Sequence, residues 1–285
     1  MRIEDIILAH DQRGISALRP HLPVNYCEEA ARLLVGQQGT VFITTGFYIL
    51  KAQAAETDGP PGAIAIGRAL EQLGRRVVYV TDEPAASMMR ALAGSDRILL
   101  FPNLDSDKSQ HHASQLIRDY QPSLLIAVER CGRTRYGAYL NMADRDVTAF
   151  TAKIDALFER SITSIGIGDG GNEIGMGNLA DVIPKCPRLP ALPCITRATQ
   201  LVIASVANWG AYGLLAALSR MMKRNLLPSV AEQRSIVEEL GSLGAVDGTT
   251  GSPGATVDGH SLEVNGEVLH DLHRFVGNTR ISDRG

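Results

Sequence analysis

The sequence predicts an α/β protein: a mainly parallel sheet flanked by helices, with a helical C-terminal portion. Three observations carry this. Five short apolar segments recur up to residue 167, each separated from the next by a stretch of helical periodicity. The segments are rich in β-branched residues and almost continuously apolar, as strands covered on both faces are. Beyond residue 178 the pattern turns helical.

Taken in order, residues 2–36 read as two helices, because Ile3, Ile6 and Ile7, and then Ala30, Ala31, Leu33 and Leu34, fall at helical spacing. The first strand is 40–45 (TVFITT). A helix over 61–73 follows the loop 46–60, with Pro61 in its first turn and Gly74 at its exit. The second strand, 76–81 (RVVYVT), leads to a helix over 84–93 that starts at Pro84 and leaves through Gly94. The third, 97–101 (RILLF), precedes a helix over 107–119. The fourth, 123–128 (SLLIAV), opens into a long loop, 129–146, and a helix over 147–160. The fifth, 162–167 (ITSIGI), runs into the loop 168–178. Helices are expected over 198–220, 229–241 and 267–275, and the Gly- and Thr-rich stretch 244–266 reads as loops with a hairpin. Residues 1–285 read as one domain, with the sheet in 1–180 and a mostly helical part in 181–285.

Composition narrows the function classes. The 285 residues are 45% apolar, which excludes a disordered chain. A net charge of −3 argues against nucleic acid as the main partner, because phosphate binding needs a basic surface. The first residues, MRIEDIILAHDQRG, fit neither a signal peptide nor a transit peptide. Cys27, Cys131, Cys186 and Cys194 lack C-x-x-C spacing and read as free thiols in a reducing cytoplasm. The uncharged run Ala198–Ser219 holds Gln200, Ser205 and Asn208, so it reads as a core helix and not a membrane span. The expected partner is a small molecule, with no nucleic acid and no membrane; a homo-oligomer is left open.

Ligands of open α/β sheets bind beyond the carboxyl ends of the strands. Each of those ends is acidic or polar here. Asp82, Glu83, Asp105 and Asp107 sit directly before helical patterns and are expected to serve as caps. Asp58, Glu129, Asp169 and Glu173 lie instead in long Gly-rich loops, where function concentrates. Carboxylates gathered on one rim repel one another unless a positive group stands among them. A divalent cation, Mg²⁺ or Mn²⁺, suits oxygen ligands, and a substrate ammonium is the alternative.

Residues 166–171, G-I-G-D-G-G, satisfy the dinucleotide fingerprint G-x-G-x-x-G after a strand. The context rejects it: Gly175 and Gly177 follow where a helix should open, Asp169 would face the pyrophosphate, and position 191 is Ala where an acid should bind the ribose. Cys131 has no histidine near it in sequence and reads as a spectator thiol. His270 and His273 read as a solvated face, and Trp209 is as well explained as a core anchor. Asp247 and Asp258, both in V-D-G, read as turns, with a second wall of the substrate site as the alternative.

Five motifs occur in order: E-T-D-G-P-P-G-A at 56–63, A-V-E-R-C-G-R at 127–133, G-I-G-D-G-G-N-E-I-G-M-G at 166–177, A-N-W-G-A-Y at 207–212 and A-V-D-G-T-T at 245–250. Together they resemble the D-glutamate cyclase C-terminal domain family over nearly the whole chain. The resemblance implies a lyase-type cyclisation of D-glutamate to 5-oxo-D-proline with loss of water. The amine must lose a proton, and the γ-carboxylate must lose an oxygen, so a general base and a Lewis acid are expected. Glu129, Asp169 and Glu173 are the expected catalytic groups, and with Asp58 they are the expected metal ligands. Arg130 and Arg133 are expected to clamp the α-carboxylate. Thr45, in the Thr44-Thr45-Gly46 turn, is expected at an oxyanion; Asn172 and Asn208 complete the substrate-binding set. The competing readings are a divalent-metal-dependent hydrolase, such as a phosphatase, and a non-catalytic metabolite-binding module.

Overall fold

The computed structural model of the chain describes residues 2–278. In chain order the elements are α1 (Ile3–Ile7), α2 (Tyr26–Gly36), β1 (Thr40–Thr45), α3 (Pro60–Gln72), β2 (Arg76–Thr81), α4 (Glu83–Ala93), β3 (Ile98–Leu100) and α5 (Ser106–Tyr120). They continue with β4 (Pro122–Val128), β5 (Thr163–Gly168), β6 (Gln200–Ile203), α6 (Ala207–Met222), α7 (Val230–Ser242) and α8 (Leu262–Asn278). The six strands form one parallel sheet in the order β3-β2-β1-β4-β5-β6. The chain winds outward in one direction from β1 and then in the other from β4. The crevice at their carboxyl ends is the topological switch point where open α/β sheets bind ligands.

Both faces of the sheet are covered, which explains the continuous apolar reading of its strands. Val41 and Ile43 of β1, with Leu124, Ile126 and Val128 of β4, face the core shared with α2, α3 and α6. The alternate residues Phe42, Leu125 and Ala127 face a second core with Leu116 of α5 and Ile154. Helix α6 is the centre of the first layer: every residue from Ala207 to Ser219 is buried, and it packs against α2, α3 and α8. Local signals set the boundaries. Pro60 and Pro61 open α3, Asp105 accepts the Lys108 N–H at the start of α5, and Ser229 and Glu232 form a capping box on α7.

Three expectations need correction. The run 198–220 is not one helix: Gln200–Ile203 forms the sixth strand, and α6 starts only at Ala207. The sheet therefore draws its last strand from beyond residue 180. The span 147–160 holds two short 3₁₀ turns, Thr148–Phe150 and Ile154–Leu157, in place of a helix. Distant partners override its helical pattern: Ala152 N–H donates to Asp82, and the Asp155 carboxylate accepts from Tyr139, Thr196 and the Arg133 N–H. Residues 2–36 carry a 3₁₀ run, Ile15–His21, between their two helices. The expected hairpin in 244–266 is present as Thr256–Val257 paired with His260–Ser261, and a second one pairs Tyr48–Ile49 with Ala54–Ala55. The four cysteines are free, and no helix of the described residues is long and apolar enough to cross a membrane.

The loop 168–178 folds back onto the strand that precedes it and packs against Ile195, and glycines on the strand and in the loop are needed for these approaches. A Cβ on Gly166 would stand 2.4 Å from the Ile174 carbonyl oxygen, and one on Gly177 would stand 2.2 Å from that of Ile195. Neither neighbour is a flexible side-chain tip, so the backbone itself would have to move. Gly177→Ala is expected to lose at least about 2 kcal/mol of stability in urea unfolding. Gly36→Ala, where nothing lies within 4 Å of the added carbon, is expected to lose none. Equal effects of the two substitutions would contradict the close approach.

Candidate functional site

Two loops and two backbone pairings assemble the acids at the switch point. Segment 130–132 pairs antiparallel with 172–174: Gly132 N–H donates to Asn172 at 3.0 Å and Ile174 N–H to Arg130 at 2.8 Å. This sets Glu129 against the Asp169–Glu173 loop. Segment 55–57 pairs with Val246, whose carbonyl accepts the Thr57 N–H at 2.9 Å, and so draws in the C-terminal hairpin with Asp258. Carboxylate oxygens of Asp58, Glu129 and Asp169 lie within 4.8 Å of one another, and all three residues are buried. Glu56, Glu173 and Asp258 are buried around them. Glu129 holds φ at +46°, a left-handed conformation costly for a side-chain-bearing residue and most often kept at functional sites.

The acids differ in what already holds them. Both oxygens of Glu173 accept backbone N–H groups, from Gly170 at 2.7 Å and Gly171 at 2.8 Å, so this carboxylate braces its own loop. The Asp58 carboxylate accepts from Ala207 at 2.8 Å, from Asn208 at 2.9 Å and from Gly59, and so caps α6 from another loop. Asn208 returns the tie: its Oδ1 accepts from Gly59 at 3.1 Å and Gly62 at 2.7 Å. It acts on the site through that loop. Arg13 is the guanidinium inside the cluster, bonded to Asp169 and, at 2.7 Å, to Asp258. Glu56 Oε1, Glu129 Oε2, Asp169 Oδ2, Asp258 Oδ2, Asn172 Oδ1 and the Thr45 hydroxyl are buried with no protein partner. Orphaned oxygens converging on three close carboxylates fit a hard cation.

Burial raises the proton affinity of this cluster. It pushes Glu129 well up, with Asp169 adding repulsion, and Glu56 well up, with Asp258 adding repulsion. Asp169 is raised by burial despite Arg13. Asp58 is pushed from 3.8 up to about 7 by burial and Asp258, against the pull of its α6 N–H bonds.

A cavity of about 490 Å³ opens onto the cluster. Glu56, Glu129, Asn172, Arg13 and Gly248 line it, and the exposed cations Lys51 and Arg145 stand beside Asn141 and Met142 in its wall. A sequence model of the D-glutamate cyclase-like, C-terminal family matches residues 3–273. The chain belongs to this family. It is 32% identical over 208 residues to "D-glutamate cyclase, mitochondrial" of Homo sapiens, a match that covers 66% of this chain and 34% of that protein. The chain thus corresponds to about a third of the human protein's length. Among solved structures it is similar to an exopolyphosphatase-related protein from Bacteroides fragilis, at a TM-score of 0.43 and 13% identity over 90% of this chain and 61% of that one. A likeness that loose bears on neither fold nor function.

Within this D-glutamate cyclase-like domain, the two arginines expected to hold substrate are engaged elsewhere. Arg130 is fully buried; its guanidinium pairs with Asp82 and donates to Gly46 at 2.9 Å and Ala152 at 2.8 Å. Asp82 is accordingly half of a buried ion pair and not the cap expected of it. Arg133 is 41% exposed and pairs with Glu159. Neither lines the cavity. Asp58, Glu129 and Asp169 do converge, while Thr45 and Asn172 bring unpartnered atoms to the same region. Trp209 is a core residue whose Nε1–H donates to Asn265 at 2.8 Å. His273 ties α8 to Asn225 at 3.1 Å and to the Pro228 carbonyl at 2.9 Å. Sequence reading missed Arg13, Glu56, Lys51 and Arg145 as site groups. Glu56 opens the E-T-D-G motif, so a signal existed for it; Arg13 and the two rim cations carry no local pattern.

Removing Arg130 leaves Asp82 buried and unpaired. Arg130→Met is expected to lose about 3–5 kcal/mol in denaturant unfolding, whereas Arg133→Ala, at an exposed pair, should lose under about 1 kcal/mol. Comparable losses would place both arginines in the same kind of environment.

The cluster also predicts a pH profile. A carboxyl with a raised folded pKa binds its proton more tightly folded than unfolded, so its stabilisation is lost as pH rises through the window between the two values. For Asp58 that window runs from 3.8 to about 7. Burial lowers the His260 and His112 pKa values and works in the opposite sense, but these are two groups against four acids. In EDTA, the Tm is expected to fall between pH 5 and pH 8, and a flat or rising profile would contradict the raised values.

Proposed function

We propose that the chain is a divalent-cation-dependent enzyme that cyclises a small dicarboxylic amino acid, D-glutamate first, to 5-oxo-D-proline and water. One observation carries this reading: a single cavity has Glu129, one member of the Asp58–Glu129–Asp169 cluster, at its floor and Lys51 and Arg145 in its wall. The floor suits a cation, and the wall suits substrate carboxylates. Family membership and the human relative's name support the choice of substrate.

The reaction forms a bond between the α-nitrogen and the γ-carbon and breaks one γ-carbon–oxygen bond, and the oxygen leaves as water. When bound among Asp58, Glu129 and Asp169, a divalent cation would supply Lewis-acid polarisation of the γ-carboxylate. Lys51 and Arg145 hold the α-carboxylate, in place of Arg130 and Arg133, and so orient the amine toward the γ-carbon. Glu129 is the proton acceptor of choice: it lines the cavity and its Oε2 has no protein partner. Glu173 and Asn208 keep the two acid-bearing loops in place. Arg13 pairs with both Asp169 and Asp258 and so offsets their mutual repulsion.

The test is 5-oxoproline formation from each glutamate enantiomer with Mg²⁺ or Mn²⁺. Asp169→Asn is expected to keep the fold by circular dichroism, to lose bound metal, and to lose about 100-fold or more in kcat/KM. EDTA should abolish turnover of the parent. Phosphate release from phosphate monoesters with no 5-oxoproline would favour the hydrolase reading. Ligand binding without turnover would favour the metabolite-binding module.

A further inference from the structure

The cation cluster accounts for only part of the acid chamber. Among the described residues, the compact carboxylate group comprises Asp58, Glu129 and Asp169. Glu56 and Asp258 stand beside it, each 4% exposed, and each keeps one oxygen without a partner: Oε1 of Glu56 and Oδ2 of Asp258. Asn172, which is not an acid, adds an unpartnered Oδ1 at 3% exposure and lines the same cavity as Glu56. Gly248 leaves room between the two carboxylates. A Cβ there would stand 2.2 Å from Glu56 Oε2 and 2.8 Å from Asp258 Oδ1.

We propose that Glu56, Asp258 and Asn172 form an ammonium-binding subsite, which takes the primary amine of a zwitterionic substrate beside the cation cluster. This rests on the amino-acid substrate of the proposed function and adds the group that selects the amine. Three unpartnered acceptors match the three N–H donors of an ammonium group. The charge also suits a monocation. Arg13 already occupies the other oxygen of Asp258, so a second divalent ion would meet about twice the repulsion that an ammonium meets at the same distance. Glu56 has no ion-pair partner among the described residues and Asp258 shares Arg13 with Asp169, so the pair is short of positive charge, which a substrate amine supplies while it is bound.

The experiment compares D-glutamate with glutarate, the same diacid without the amine, by calorimetric titration of the Mn²⁺-loaded protein. The parent is expected to bind D-glutamate at least about tenfold more tightly than glutarate. Glu56→Gln should erase that preference while it retains the parent's glutarate affinity and Mn²⁺ content; Asp258→Asn is the second variant, should Glu56→Gln fail to fold. Equal affinities in the parent, or a preference that survives in both variants, would overturn the subsite. Loss of Mn²⁺ from Glu56→Gln would also overturn it, by making Glu56 a metal ligand. Binding of neither diacid would defeat the dicarboxylate substrate instead. The subsite would then be decided by ethylammonium chloride against sodium chloride at equal ionic strength: a thermal upshift of the parent absent in Glu56→Gln supports it, and no such shift overturns it.

Discussion

Asp58 sits at the join between two layers of the chain. Its carboxylate closes the open N–H groups at the start of α6, and Asn208 on that helix closes the N–H groups of Gly59 and Gly62 in return. A helix N-terminus carries partial positive charge and unsatisfied donors, so a buried carboxylate is tolerated there better than elsewhere. This reciprocal clasp sets where the loop after β1 ends and where α6 begins. The loop's other acid, Glu56, is thereby held beside the C-terminal hairpin, and Gly59 is pressed against Thr45 and Glu129, where an added Cβ would stand 2.6 Å and 2.8 Å away. The triad geometry follows from it.

The rest of the chamber is organised around charge that the sheet alone cannot neutralise. Glu173 is satisfied by the backbone of its own loop, and Asp258 and Asp169 share Arg13. Arg130, next to Glu129 in the chain, and Asp82 neutralise each other in a separate buried pair that secures Gly46 and Ala152. What is left is a set of buried oxygens with no protein donor, among them those of Glu56, Glu129 and Asn172, which line one cavity. A protein rarely leaves so many buried acceptors together without a ligand that satisfies them. The ammonium and two carboxylates of the proposed substrate would complement the acids and cations that line this cavity.

Much of the fold was legible. Five strands fell where alternating segments predicted them, because residues buried on both faces must be apolar whichever core they meet. The sixth, Gln200–Ile203, was hidden: it runs without a charge into a helix as apolar as itself, and only a bend at 205–206 separates them. The span 147–160 had the periodicity of a helix, but Asp82, Tyr139 and Thr196 draw its polar groups away from helical partners. Local pattern cannot report a competitor that arrives from 40 or 70 residues away.

The site divides along the same line. That Asp58, Glu129, Asp169 and Glu173 gather at one rim was determined by the sequence, since strand ends and long Gly-rich loops fix which end of a parallel sheet a residue occupies. Their separate roles were decided by tertiary contacts. Whether a carboxylate is free depends on which N–H groups face it: Glu173 finds two in its own turn, and Asp58 finds its partners on a helix 149 and 150 residues later. The arginines show this most clearly. Arg130 lies next to Glu129 in sequence, yet its guanidinium is buried on Asp82, Gly46 and Ala152. Arg13 lies 156 residues from Asp169, and only the folding of the N-terminal segment over the switch point brings its guanidinium into the cluster.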